Sequence, residues 1–212
     1  MIVHASGLGE IMAPAKKAGE LSAGAKSFVK KRFKEALFGY RESFDSKYTK
    51  KGILVEEESI ALYNRVNFTD CVKNTERRKT ELLTGEADII NGDTVIDIKS
   101  SWSLMTFPIF PADAADAGYE WQLRAYMYLW DLPKAELAFC MVSTPEHLIG
   151  FEDRAVHIVD HIPEEMRLTA LAFERDAGKE SEMIARIKLA QAYYQQLEDE
   201  YLGIDGADVH PA

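Results

Sequence analysis

The sequence predicts an α/β (α+β) domain in which helices flank a mixed central β-sheet. Three observations predict it. Apolar residues recur at helical spacing near both ends of the chain, β-rich pieces cluster between residues 66 and 101, and a further helix separates these from two later strands. At 212 residues the chain is long enough to bury a sizeable core, and one elaborated domain over 1–204 with a short disordered tail over 205–212 is the simplest division.

The elements follow in order. "LSAGAKSFVKKRFKEALFG" reads as a basic amphipathic helix over 22–38, with Ser22 as N-cap and Gly39 as its stop. "KKGILVEEESIALYNRV" reads as a second helix opening near Leu54, with the glutamates in its first turn favoured by the helix dipole. Residues 66–73, 80–90 and 93–101 read as strands, the last two joined by Asn91-Gly92 as a type I′ hairpin turn. "GYEWQLRAYMYLW" is a helix ended by "DLP". "AELAFCMVST" and "RLTALAFERD" are strands, and "ESEMIARIKLAQAYYQQLEDEYLG" is a closing amphipathic helix.

Composition narrows the function. No stretch approaches the roughly 18 apolar residues of a membrane span, and the opening residues lack the pattern of a signal peptide, so a cytoplasmic protein without a membrane partner is expected. Cys71 and Cys140 lack any CxxC spacing and are expected as reduced, packed thiols. The net charge is −10, but residues 1–51 hold eleven Lys/Arg against five Asp/Glu while the remainder holds fourteen against thirty. That asymmetry allows either a local basic surface that attracts phosphate or an ordinary solvated helix face.

The hairpin "TGEADIINGDTVIDIKSSW" carries the chemistry. With Asn91-Gly92 as the turn, Ile90 opposes Asp93, Asp88 opposes Val95 and Glu86 opposes Asp97. One face then carries Glu86, Asp88, Asp93, Asp97 and Lys99; the other carries Ala87, Ile89, Thr94, Ile96 and Ile98. Asp88 and Asp97 become diagonal neighbours, separated by roughly 7 to 8 Å at the main chain. Two carboxylates so placed repel unless a cation lies between them, and Mg²⁺ suits them, taking carboxylate, water and phosphate oxygens. Lys99 on the same face would orient or deprotonate a water and offset charge on a phosphodiester. The plainer alternative is the wet face of a half-exposed hairpin, guarded by an edge lysine.

Asp88, then Asp97-Ile98-Lys99 after a short turn, resembles the PD-(D/E)XK nuclease superfamily, with Ala87 in place of the eponymous proline. "QLRAY", with Gln122 and Tyr126 one helical turn apart, resembles the Q-x-x-x-Y motif of RecB-like and lambda-type exonucleases. "GILVEEES" resembles the G-x-x-x-E element and aligns Glu56 with its acidic residue. "HASGLGEIM" followed by the first helix resembles the opening of lambda-type phage alkaline exonucleases (YqaJ-like viral recombinases). The resemblance runs from Ser6 to the last helix.

It implies a restriction-endonuclease-like core and a Mg²⁺-dependent exonuclease, with two ions and Mn²⁺ as a substitute. Such an enzyme degrades one strand of linear double-stranded DNA 5′ to 3′, leaving 3′ overhangs for recombination by annealing. It also implies a ring-shaped homotrimer acting on DNA ends, a single-strand annealing protein as partner, and a phage or prophage gene expressed in a bacterial cytoplasm. By the same resemblance Asp88, Asp97, the Ile98 carbonyl and Glu56 would hold metal, with Glu57 and Glu58 as neighbours that could replace Glu56. Lys99 would position the water, and Gln122 and Tyr126 would support the site. Ser6 would meet the terminal phosphate, with His4 standing where relatives often carry Arg; either Lys16, Lys17 or Lys26 would compensate or the preference for a 5′-phosphorylated end would be weaker. Trp102 is expected either to stack on the substrate or to lie in the core. Alternative functions are an endonuclease of the same fold, directed by DNA structure or sequence, and a catalytically silent DNA-binding protein.

Overall fold

The structure, a computed structural model, describes residues 1–42 and 46–207. Four strands form the central sheet: β4 (Ile89–Asn91), β5 (Thr94–Ser100), β6 (Lys134–Cys140) and β7 (Leu168–Glu174), in that spatial order. The pairs β4/β5 and β6/β7 are antiparallel and β5/β6 is parallel, so the sheet is mixed as expected. A second small sheet joins β1 (Val3–His4), β3 (Leu83–Gly85) and β2 (Arg78–Lys79) in the order β1-β3-β2.

Helices cover both faces of the central sheet. On one side α4 (Glu56–Asn67) packs Val55, Ile60, Leu62 and Tyr63 against Ile89, Ile96 and Ile98. On the other, α5 (Ala117–Trp130) packs Trp121, Leu123, Ala125 and Met127 against Val95, Ala135 and Leu137. The latter core also takes in α1 (Leu8–Met12), α2 (Ala23–Phe38) and the long α7 (Ala177–Ala207). The crossover α5 between parallel β5 and β6 is the βαβ unit that a parallel pair requires.

Local signals explain the termini of these helices. Ser22 Oγ accepts from the Ala25 N–H at 3.1 Å, and Gly39 closes α2 in the left-handed region at φ +61°. Asp116 Oδ1 accepts from the Tyr119 N–H at 3.0 Å to start α5.

The structure corrects the expected elements at several points. Residues 80–90 are not one strand: β3 joins the small sheet and β4 the central one, with residues 86–88 between them. The helix expected to open near Leu54 is α4, beginning at Glu56, but a separate helix not anticipated from sequence, α3 (Lys47–Leu54), precedes it. Residues 66–73 are not a strand. Phe68 ends α4 at φ +55°, and the Asn64 side chain then binds the Cys71 carbonyl and the Thr69 hydroxyl, giving this irregular segment the partners a ladder would have supplied. α7 runs to Ala207, three residues into the expected tail; residues 208–212 lie outside those described.

The hairpin register is also corrected. Ile89 pairs with Ile96, Ile90 with Val95 and Asn91 with Thr94, so the turn is Gly92-Asp93. Only Gly92 in this turn has positive φ (+59°), the pattern of a glycine-first turn rather than an Asn-Gly turn. The slide is two residues, so every side chain keeps its face. It nevertheless brings the Asp88 side chain to the Asp97-Ile98 segment of β5.

Candidate active site

Asp97 and Lys99 stand on β5 just beyond its pairing with β4, opposite Leu137 and Phe139 of β6, and their face is roofed by α5. That face is not the wet side of a hairpin: Asp97 is 2% exposed. The Asp97 side chain is fixed at both oxygens. Its Oδ1 accepts from Gln122 Nε2 at 3.1 Å, and its Oδ2 faces Lys99 Nζ at 2.7 Å. Gln122 Nε2 also donates to Tyr126 Oη at 2.9 Å. The i and i+4 spacing of Gln122 and Tyr126 sets both on the side of α5 that faces β5.

Asp88 enters from the residue before β4. Its Oδ2 accepts from the Ile98 N–H at 2.7 Å. Burial, and then the charge of Asp97, pushes its carboxyl up to about 7. Burial alone would lower the Lys99 amine, but the Asp97 charge and contact hold it above its ordinary range, so Lys99 is an ammonium. Burial and the Asp97 charge likewise raise the Tyr126 phenol.

These groups line a cleft of about 470 Å³ together with Glu56, Ile98, Ser100, Phe139 and Tyr119, and with Tyr48, Thr49, Gly52 and Ile53 of α3. The Lys99 ammonium lies 4.8 Å from the centre of the Tyr119 ring, a cation–π contact. Tyr119 and the α3 wall were not singled out from sequence. The only available signal for Tyr119 was its position one turn before Gln122.

The donor set fits a divalent cation in one specific respect. Asp97 Oδ2 is buried with the Lys99 ammonium at 2.7 Å as its one partner, and the neighbouring Asp88 carboxyl has a raised pKa. A cation there would use the remaining lone pairs of these carboxylates and relieve their repulsion. Among the described residues no three acidic, histidine or cysteine side chains close on one point, because Glu56 is turned to Lys73 in an ion pair. Its charge still reaches Asp88. Glu58 instead acts on Lys51.

Comparison with solved structures decides the family. The crystal structure of a phage related exonuclease from Haemophilus somnus 129PT is 36% identical, with a TM-score of 0.89 over 95% of this chain and 96% of that one. The chain belongs to the lambda-type phage exonuclease family. An alkaline exonuclease from Laribacter hongkongensis shares the fold at 16% identity, with a TM-score of 0.71 over 99% of this chain and 95% of that one; the same enzyme in complex with dAMP gives 0.67. No family model and no curated protein matches the chain. As a member of the phage exonuclease family the protein is a nuclease with a restriction-endonuclease-like core.

The remaining expected residues of this phage-type nuclease are distributed differently. Ser6 is exposed in the short turn Ala5–Gly7, which packs beside α5. Gly9 just beyond it approaches Gly118 so closely that an added Cβ would lie 2.7 Å from the Gly118 Cα. His4 lies in a separate pocket of about 370 Å³ with Arg32, Arg41, Phe28 and Tyr194. Burial, then the charges of Arg41, Arg77 and Arg32, lowers its pKa. Arginines thus surround position 4.

Lys26 is not at the cleft; its ammonium lies 5.7 Å from the Tyr193 ring on α7. Trp102 takes the second of its two expected placements, the core. It is 6% exposed, its Nε1 donates to Glu152 Oε2 at 2.9 Å, and its ring packs edge-on against Tyr48 and His157. An indole with its polar edge so engaged belongs to the core. Cys140 is buried, Cys71 half-buried, and both are free. Among the described residues no helix is long and apolar enough to cross a membrane.

Proposed function

We propose that the protein is a Mg²⁺-dependent exonuclease that degrades one strand of linear double-stranded DNA from its 5′ end, leaving 3′ overhangs for recombination by strand annealing. The observation that carries this reading is the convergence of Asp88, Asp97 and Lys99 in one cleft beneath Gln122 and Tyr126. The dAMP held by a protein of the same fold is of the product class such an enzyme releases.

In this reading Asp88, Asp97 and the Ile98 carbonyl hold Mg²⁺, or Mn²⁺ in its place, with Glu56 joining through water or by leaving Lys73. The metal, as two ions in the full site, supplies Lewis-acid stabilisation and an acidified water. The protein's own residues do the rest. Lys99, an ammonium, orients the water and offsets phosphate charge rather than acting as the base. Gln122 fixes the Asp97 carboxylate, and Tyr126 fixes Gln122. Water adds to phosphorus, the bond to the 3′ oxygen breaks, and that oxygen leaves with a proton.

Ser6 and the arginines around His4 are the groups we assign to the 5′-terminal phosphate. A homotrimeric ring around duplex DNA, an annealing protein as partner, and a phage or prophage gene acting in the bacterial cytoplasm complete the proposal.

The test uses purified protein with Mg²⁺ on linear, nicked and covalently closed duplex. Linear DNA is degraded and closed circles survive; circles cut as fast as linear DNA would make the enzyme an endonuclease. Asp97→Ala and Lys99→Ala lose cleavage while still binding DNA. Activity retained in either removes the site assignment.

A further inference from the structure

The nuclease cleft has one wall that is attached in an unusual way. α3 contributes Tyr48, Thr49, Gly52 and Ile53 to the cleft, while Ile53 and Leu54 are largely exposed. Between the cleft-lining residues of this helix stands Lys51, which is 1% exposed. Its Nζ donates to three backbone carbonyls: Ser101 at 2.6 Å, Val142 at 2.8 Å and Trp102 at 3.2 Å. Those carbonyls come from the two segments that leave the parallel pair β5/β6, just beyond Ser100 and Cys140.

We propose that Lys51 is a positioning residue for the nuclease reaction, setting the α3 wall at a fixed distance from the strand end that carries Lys99 and Ser100. The inference rests on the reading of this cleft as the catalytic one.

The chemistry of the contact supports a precise tie. An ammonium offers three N–H donors and no acceptor, and here all three have separate carbonyl partners. Among the described residues Lys51 has no carboxylate in ion-pair contact, only the more distant charge of Glu58. Burial pushes its amine down to about 8, so the charge is kept inside at a cost. An apolar side chain would fill the same space without that cost but would take this donor from the Ser101 and Val142 carbonyls, while the Trp102 carbonyl keeps Thr144.

The surrounding contacts act on the same helix. Lys47, one turn earlier, pairs with Glu152, which also accepts from Trp102 Nε1 at 2.9 Å and contacts His157 Nε2 at 3.1 Å. Thr144 Oγ1 donates to the Trp102 carbonyl at 2.8 Å. α3 is therefore fastened to the ends of β5 and β6 by a polar node with Lys51 at its base. Because Gly52 follows directly, a shift of the Lys51 anchor is a shift of the cleft wall.

The test compares wild type, Lys51→Met, Lys51→Ala and Asp97→Ala as full-length proteins on linear duplex with Mg²⁺. Fold is checked by circular dichroism, and DNA affinity is measured in EDTA. Lys51→Met keeps length without donors. Its kcat is expected to fall about 10- to 100-fold, as misplacement near 1 Å does, with KM and metal-free DNA affinity within about threefold.

In Lys51→Ala, n-propylammonium is expected to restore kcat, whereas tetramethylammonium at equal ionic strength does not. A folded Lys51→Met with wild-type kcat overturns the proposal, as does a loss confined to KM. If Lys51→Met does not fold, Lys51→Arg decides by the same kcat criterion. If Asp97→Ala remains active, the reading of the cleft fails whatever Lys51 does; if Asp97→Ala is inactive and Lys51→Met fully active, only this inference falls.

Discussion

Asp88, the residue before β4, accepts from the Ile98 N–H through its Oδ2 at 2.7 Å, which holds its carboxyl within the field of Asp97. Two carboxylates held this close are destabilising unless a proton or a cation separates them.

The metal-free protein therefore has a defined pH dependence. The Asp88 carboxyl titrates at about 7 when folded against 3.8 ordinarily, so between those values the folded state binds more protons than the unfolded one. Stability falls as pH rises through that window. Asp88→Asn keeps an acceptor for Ile98 and removes the charge. Urea unfolding in EDTA at pH 8 is expected to show this variant more stable than wild type, on the order of a few kcal/mol, with the difference vanishing near pH 4. Equal stability at pH 8 would show that the repulsion is absent. By the same linkage, a divalent cation held by Asp88 would be expected to bind more tightly as pH rises across neutrality, releasing a proton.

Gln122 and Tyr126 should not be equivalent. Gln122 Nε2 bonds both Asp97 and the Tyr126 hydroxyl, whereas Tyr126 reaches Asp97 only through Gln122. Gln122→Leu should cost about 100-fold in kcat and Tyr126→Phe about 10-fold or less. The double variant should be no worse than Gln122→Leu alone, since residues in one network are not additive. A steady-state kinetic cycle checks it, and multiplicative losses would count against a shared route.

Gly85, in the strand that leads to Asp88, is a hidden constraint on the site. A Cβ there would sit 2.8 Å from Tyr126 Cε1 and 3.0 Å from the Ala5 Cβ. Gly85→Ala must displace the Tyr126 ring or the β1–α1 turn. We expect a stability loss of about 1 to 3 kcal/mol and a kcat loss comparable with Tyr126→Phe. Thermal melting and turnover measured on one preparation would test both, and wild-type values in each would refute the steric reading.

Trp102→Phe should separate packing from catalysis. The substitution removes the hydrogen bond to Glu152 but keeps the backbone carbonyl that Lys51 uses. Stability should fall by about 1 to 2 kcal/mol, while kcat stays within about threefold. In wild type the Trp102 emission should not respond to bound DNA; quenching specific to this residue would return it to the substrate surface.

Legibility in the sequence varied with the range of the interaction that decides each feature. Ser22, Gly39 and Asp131 mark their helix ends through contacts within one turn, and these helices were readable. The strand expected at 66–73 followed from β-branched and aromatic residues, but Asn64, upstream of the segment, overrides that propensity by binding its backbone. Asn91-Gly92 located the hairpin yet misplaced its turn by one residue. Only the packing of Ile89 and Ile96 against α4 fixes the register. Asp88, Asp97 and Lys99 survived that error because a slide of two preserves faces. Gln122 reaches Asp97 across 25 residues, and nothing but resemblance could anticipate it. Trp102 and Lys26 were beyond sequence because an aromatic or a lysine reads the same whether it meets solvent, DNA or another helix.

β5 lies between β4 and β6, and its Asp97 depends on Gln122 from the crossover helix. On a ribosome, none of this exists until residue 140 has emerged, because β6 runs to Cys140. A chain that stops short of β6 therefore leaves Asp97 and Lys99 on an unpaired edge and holds no assembled site. In the finished chain the amides of Asp97 and Lys99 belong with the last to exchange their hydrogens, so that cutting ability and the global fold disappear together.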